Sequence, residues 1–322
     1  LHGYVVKDDG REIDLVIGEN DDDPVLTISD LMPHLARKVQ ADKKVNEAFP
    51  GEKLNLIVGC LPLGDDETKN RFKLAVLNLL HQKYGLVEAD FISAEMEVVP
   101  AGPARDVGLD RGLIGGYGHD DRICAYASLQ AILQAAKPSR SLVALFVDRE
   151  ETGSDGATGA KSRFLESLVA DLLEKSGQAP TSVALRKTLL NTKAISADVE
   201  GAIDPDFQDV HEKNNAARLG YGPCVTRYTG SGGKYGASEA PAQYMGWLRG
   251  VFRRRDILWQ SSLLGKIDEG GGGTVAMFLA KHGLEIVDCG PSLLGMHSPF
   301  EIASKADLYM AIKAYQAFYE AD

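Results

Sequence analysis

One stretch constrains this chain more than any other: Ser141-Leu-Val-Ala-Leu-Phe-Val-Asp-Arg-Glu-Glu-Thr-Gly-Ser154, in which an apolar run empties directly into carboxylates. Leu142 to Val147 is short, carries two valines and has no helical period, so it reads as a strand buried on both faces of a parallel sheet. Asp148, Glu150 and Glu151 then put up to three negative charges at the mouth of that strand. Like-charge repulsion and desolvation disfavour this arrangement unless a cation or a proton relieves it. In open α/β sheets, ligands bind beyond the carboxyl ends of strands, which is where the cluster falls. A metal site accounts for it, and two adjacent glutamates suit a division of labour in which one ligates the ion and the other takes a proton from its water. The alternative is an ordinary acidic loop neutralised by Arg149 and solvent.

The chain around this stretch changes character near Ala101-Gly-Pro-Ala104. Residues 104–322 alternate strand and helix patterns, the sign of an α/β fold with a mixed, largely parallel sheet flanked by helices. Residues 1–103 read as a separate α+β unit. Tyr4 to Lys7 and Ile13 to Gly18 are strand-like about the turn Asp8-Asp9-Gly10, and a helix is predicted over Ser29 to Val39. A strand over Leu54 to Cys60, a helix over Asp65 to Tyr84 and a strand over Asp90 to Val99 follow. The runs Asp21-Asp22-Asp23 and Asp65-Asp66-Glu67 read as solvated turns or caps. Nothing in this unit gathers the residue types of a catalytic site, so it is read as a packing or assembly domain.

With 322 residues, 44% of them hydrophobic, the chain can bury a full core. A net charge of -11 argues against a broad nucleic-acid footprint, and the one dense basic run, Arg253 to Arg255, reads as solvated. No apolar stretch reaches the roughly 20 residues of a membrane span and no signal peptide opens the sequence, which points to the cytoplasm. Cys60, Cys124, Cys224 and Cys289 form no C-x-x-C pair and read as small buried hydrophobes. The chain opens on a strand-like run rather than on methionine, which implies that residues precede it.

Further carboxylates stand at other strand-to-loop junctions. Gly115-Gly-Tyr-Gly-His-Asp-Asp-Arg122 leads into a helix from Ile123 to about Ala136. Asp120 suits a carboxylate bridging two ions, whereas Asp121 serves equally as a helix N-cap, and His119 is a ligand by type alone. A helix opening at Gly156 to Gly159 carries the apolar stripe Phe164 to Leu173, and the strand Leu189 to Ser196 ends beside Asp198. His211 reads as part of a surface loop. Arg227 to Tyr235 is glycine-rich but lacks the G-K-[ST] of a phosphate loop, and instead offers Arg227 or Lys234 to a substrate carboxylate. Gly270 to Gly273 places backbone amides at a helix start or forms a mobile turn. Ser298, Pro299 and Glu301 read as a capping box just after His297, and a final helix is predicted over Lys305 to Glu320. Among three acidic junctions, His297 becomes the expected nitrogen ligand of a zinc-type ion.

Gly118-His-Asp-Asp-Arg122, Asp148 to Ser154, Ser196-Ala-Asp198, His211 to Arg218 and Gly295-Met-His-Ser298 together resemble the aspartyl aminopeptidase family of dinuclear metallopeptidases. The resemblance covers nearly the whole chain, with the motifs in family order. It implies a metalloaminopeptidase that removes an N-terminal residue, Asp or Glu by preference, from peptide substrates. It further implies two divalent ions, zinc first and cobalt or manganese otherwise. By the same resemblance, Asp120 is the bridging ligand, joined by a cis peptide to Asp121, and Glu150 is the general base. Glu151 and His297 hold one metal and Asp198 the other, with Arg227, Lys234 and Tyr235 as substrate contacts. Residues 1–103 match the family's inserted dimerisation domain, and the family's assembly is a tetrahedral dodecamer. The family's additional His-x-Asp ligand motif is not found, so the first catalytic segment is expected to be lacking. Two other readings stay open: a related co-catalytic aminopeptidase or deacylase, and a metal-free assembly protein.

Overall fold

A computed structural model of the chain describes residues 1–322 apart from Lys137, Gly233, Lys234 and Ala237. Its backbone divides into two compact units, Leu1–Pro103 and Ala104–Asp322.

In the first unit, β1 (His2–Val6) and β2 (Glu12–Val16) form an antiparallel hairpin closed through Asp8-Asp9-Gly10. The next elements are short: β3 (Thr27–Ile28), α1 (Pro33–Val39), α2 (Val45–Ala48) and β4 (Leu56–Ile57). The helix α3 (Arg71–Tyr84) ends on Gly85 in the left-handed conformation, and β5 (Ala94–Glu97) pairs with β1. Val5, Leu15 and Leu86, each 1% exposed, form the core, with Leu80, Tyr84 and Met96 packed around them. The predicted helix over 29–39 and strands over 54–60 and 90–99 are all shorter in the structure. Asp30 spends its carboxylate on the Leu31 amide, Pro33 stands at the first turn of α1, and residues 88–93 coil into a 3-10 helix before β5 begins.

The second unit holds two mixed sheets. Its strands are β6 (Arg105–Val107), β7 (Leu113–Gly116), β8 (Lys193–Ser196), β9 (Glu200–Gly201), β10 (Cys224–Thr226), β11 (Gln260–Ser261), β12 (Glu285–Gly290), β13 (Ser292–Leu294) and β14 (Glu301–Ser304). One sheet has the order β11-β10-β12-β8 and the other β6-β7-β14-β13-β9. The pairs β8–β12, β10–β11 and β9–β13 are parallel and the rest antiparallel, so the second unit is mixed rather than largely parallel. The cause is connection length: β6–β7 and β13–β14 are joined by loops too short for a crossover, and short loops can link only antiparallel neighbours.

Helices α4 (His119–Gln134), α5 (Phe164–Lys175), α6 (Ser182–Leu190), α7 (Ala242–Arg254), α8 (Ala276–Leu279) and α9 (Lys305–Tyr319) complete the unit. α4 and α9 pack together, and Ala127, Ala131, Ala311 and Ala314 are fully buried, so small side chains admit a close approach. α7 adds Tyr244, Leu248, Val251 and Phe252 to the same core. Each large apolar side chain buried there contributes roughly 1.5–3 kcal/mol.

Three expectations in this unit are corrected. Leu142 to Val147 forms no strand, and Val143 and Phe146 are 40% and 54% exposed. β-propensity becomes a strand only where a neighbour offers a ladder. This run instead has a side-chain tie, Tyr319 Oη donating to Val143 O at 3.3 Å. Ser298 to Glu301 is not a helix start. Glu301 begins β14, whose pairing with β7 and β13 outweighs the local capping signal, and Ser304 caps α9 by accepting the Asp307 amide. Finally, the glycines at 156–159 do not open a helix; α5 starts at Phe164.

Candidate active site

The site is built where the ends of several elements converge. β7 ends at Gly116, and Gly118 adopts φ 76, a left-handed turn that glycine takes without a Cβ penalty. The backbone is non-helical at Asp120 (φ -85, ψ 106) and Asp121 (φ -119, ψ 35), and the peptide between them is cis. Asp198 follows the end of β8. Gly290 lets β12 pass beside it, since a Cβ there would lie 2.0 Å from the Asp198 carbonyl oxygen. Glu150 and Glu151 sit on a tight turn in which Gly153 N–H donates to Glu150 O and Ser154 N–H to Arg149 O. Asp148 stands apart with Arg149 Nε 3.6 Å from its carboxylate, so it does not join the others.

Far-separated residues meet at these ends. His297 Nε2 lies 2.8 Å from Asp120 Oδ2 and 3.4 Å from Glu151 Oε2. Ligand atoms of Asp120, Glu151 and His297 lie within 4.8 Å of one another, and so do those of Asp120, Asp121 and Asp198. Asp120 belongs to both groups. A carboxylate shared by two clusters of donors is what a pair of ions needs from a bridging ligand.

The electrostatics fit cations. Burial, with help from Glu151, pushes the Asp120 carboxyl up to about 6, and burial pushes Asp121 up to about 8. Burial raises Asp198 well above the carboxylate range, and it raises Glu150 too, helped by Glu151 and Asp120. Hydrogen bonds from Cys124 to the Asp121 carboxyl oppose its rise without cancelling it. Carboxylates so placed stay ionised only when positive charge joins them, and mixed carboxylate and imidazole donors suit zinc.

One carboxylate organises the two loops. Glu301, 2% exposed, accepts the Asp120 N–H at 3.1 Å and the His297 N–H at 2.8 Å. This holds His297 at φ 66, a left-handed conformation that costs a non-glycine residue about 1 kcal/mol or more. Sequence reasoning assigned Glu301 to a helix cap and missed this role. It also missed Glu200 and Asp288, which line the same cavity of about 610 Å³ as Asp120, Glu150, Glu151, Asp198 and His297. Asp288 did leave a signal: it is a charged residue inside the otherwise apolar run Ile286-Val287-Asp288-Cys289.

The expected substrate contacts are placed elsewhere. Arg227 is not on the cavity wall; its guanidinium pairs with Glu239 at 2.9 Å, donates to Ala240 O and rests on the Tyr228 ring. Local pairing within its own loop satisfies it. Tyr235 is 78% exposed and likewise off the wall, while Lys234 lies outside the described residues. His119 and His211 do not line the cavity either.

The chain as a whole is similar to known proteins. The family model described as aminopeptidase I zinc metalloprotease (M18) matches residues 1–319. The chain belongs to the M18 family of zinc aminopeptidases. A probable M18 family aminopeptidase 1 of Thermotoga maritima is 48% identical over 320 residues, spanning 99% of this chain and 70% of that protein. The M18 aminopeptidase crystal structure from the same organism superposes with a TM-score of 0.95 over 100% of this chain and 70% of that one. Aminopeptidase I of Clostridium acetobutylicum, 44% identical, gives 0.92 over 100% and 69%. The yeast mApe1 dodecamer structure, at 21% identity and a TM-score of 0.68 over 99% and 68%, shares the M18 fold.

Proposed function

We propose that this M18 aminopeptidase cuts the first peptide bond of its substrates at a two-ion centre held by Asp120, Glu151, Asp198 and His297. The observation that carries this reading is Asp120's membership of both donor groups. Asp121, close to Asp198 in the second group, is a further candidate donor. A pair of divalent ions, zinc by family, would supply Lewis acidity to the scissile carbonyl and to a water. Glu150 takes the proton from that water and returns it to the leaving nitrogen. Its pKa, raised by burial and by Glu151, favours a base of intermediate strength. Glu301 holds the ligand loops in register.

The acidic first residue implied by the resemblance has one described lysine on the cavity wall, Lys266, to receive its carboxylate. For the first unit we propose an assembly role. Apolar residues including Val45, Phe49 and Leu61 are 86%, 53% and 79% exposed there, more than an isolated unit needs. A dodecamer, as in the mApe1 structure, is the assembly proposed. A cytoplasmic location is proposed too: four free cysteines suit a reducing compartment, and no described helix is long and apolar enough to cross a membrane.

The test is direct. Metal analysis together with an aminoacyl-p-nitroanilide panel should give about two ions per chain and release of the free first residue. A preparation with no bound metal and no turnover after zinc addition would sink the reading, and sedimentation as a monomer would sink the assembly role.

A further inference from the structure

Cys124 is a fully buried side chain near the start of α4, three residues after Asp121. Its backbone N–H and its S–H both donate to the Asp121 carboxyl. The same thiol lies within hydrogen-bonding reach of the Tyr315 hydroxyl, which comes from α9 and belongs to a side chain only 2% exposed. That hydroxyl gives its own proton to Cys289 O at 2.6 Å. The next residue is Gly290, where a Cβ would meet Cys124 Sγ at 2.8 Å and the Asp198 carbonyl oxygen at 2.0 Å. The sulfur is therefore packed between the Asp121 carboxyl and the strand end that backs Asp198.

A buried thiol can be a small apolar filler, and Cys124 has the burial of one. Its partners assign it more. Tyr315 has a single hydroxyl proton, committed to Cys289 O, so the S–H proton is directed to Asp121, the stronger acceptor once it is ionised. Asp121 and Asp198 are two of the three donors in the second group, and Asp120 is the third. All three are carboxylates on rotatable side chains, so their common geometry depends on what holds each from behind. A ligand that loses such a partner samples orientations that do not bind, and metal affinity falls. Cys124 is not on the cavity wall, so it acts through Asp121.

We propose that Cys124 is a positioning residue for one of the two ions, aiming the Asp121 carboxylate toward Asp120 and Asp198 while Tyr315 fixes the sulfur and the end of β12. This rests on the two-ion reading above. The ion held by the Asp120, Glu151 and His297 group does not depend on the thiol, so the effect of removing it is confined to one site.

The experiment titrates zinc into chelator-treated protein in competition with a chromophoric chelator, which should resolve two binding steps in the wild type. In Cys124→Ala one step should weaken by about 10-fold, the lower end of the cost of losing an outer partner, because a thiol is a weak donor. The other step should stay within about twofold. The step that moves should not be the one that Glu151→Ala weakens, since Glu151 belongs to the other group. Cys124→Ser leaves nearly the same gap as Cys124→Ala but restores a donor, and should recover most of the lost affinity. A purely packing role would leave the Ala and Ser variants alike. Wild-type affinity in Cys124→Ala, equal weakening of both steps, or no recovery in Cys124→Ser would overturn the inference. Should Cys124→Ala fail to fold, Tyr315→Phe removes only a hydroxyl and should weaken the same step; two unchanged steps there would overturn the inference as well. A wild type that binds no zinc is a different failure, since it removes the two-ion reading and the inference with it.

Discussion

Glu301 takes the backbone N–H of His297 on one carboxylate oxygen at 2.8 Å, and its other oxygen is spent on Asp120 N–H. One buried side chain thus sets the spacing of two metal-ligand candidates from opposite ends of the unit. Replacing it with Gln turns one acceptor into a donor facing a donor. Glu301→Gln is expected to weaken zinc binding by about 10- to 100-fold, the usual cost of losing an outer partner of a metal ligand. Competition with a chromophoric chelator measures this. Unchanged affinity would show that the two loops hold their places without Glu301.

Glu150 is the group whose removal should separate chemistry from assembly. Glu150→Gln keeps the shape of the side chain and leaves the donor atoms of both clusters in place. Turnover is expected to fall by about 10²- to 10⁴-fold, with metal content and thermal midpoint unchanged. A near-normal rate in a pure preparation would refute its assignment as the base.

How far the sequence carried is clear from these residues. Asp120, Glu151, Asp198 and His297 stand in short motifs that the sequence displays, and the structure places donor atoms of Asp120 near those of Glu151 and His297 in one group and near that of Asp198 in another. The boundary expected where the pattern changes after residue 103 coincides with the division between the two units. What failed depended on partners distant in sequence. Leu142 to Val147 looked like a strand, but strand formation needs a neighbour that local pattern does not reveal. Ser298 to Glu301 looked like a helix cap because the same letters satisfy that local rule, whereas pairing with β7 decided the matter. Arg227 looked available to substrate until Glu239 was found beside it.

The metal-free protein should lose stability as pH rises. Burial raises Asp288 from 3.8 to about 7 and Asp120 to about 6. Between those limits the folded state keeps protons that the unfolded state has released, so stability is highest at the acid end and declines until about pH 7. Above that, Asp121, raised to about 8, extends the decline. Chelator-treated protein should therefore melt at a higher temperature at pH 5 than at pH 8, and zinc should raise the pH 8 midpoint most. Asp288→Asn should flatten part of the slope. A metal-free midpoint that rises from pH 5 to pH 8 would contradict the burial of these carboxylates.

Substrate preference turns on how few cations face the cavity. Six described carboxylates line it, those of Asp120, Glu150, Glu151, Asp198, Glu200 and Asp288, against the single described lysine Lys266. The two proposed metal ions would offset the first four as a group, and Glu200 is satisfied by its own hydroxyl and amide donors. An acidic first side chain entering this space needs a cation of its own, and Lys266 is the one lysine among the described residues of the wall. Lys266→Met should lower kcat/KM for aspartyl and glutamyl p-nitroanilides by about 10-fold while leaving leucyl and alanyl substrates within a factor of about two. A parallel loss across all four substrates would mean that Lys266 shapes the loop rather than reads the side chain. A wild type that prefers leucyl over glutamyl substrates would remove the acidic preference altogether, without touching the assignment of the metal ligands.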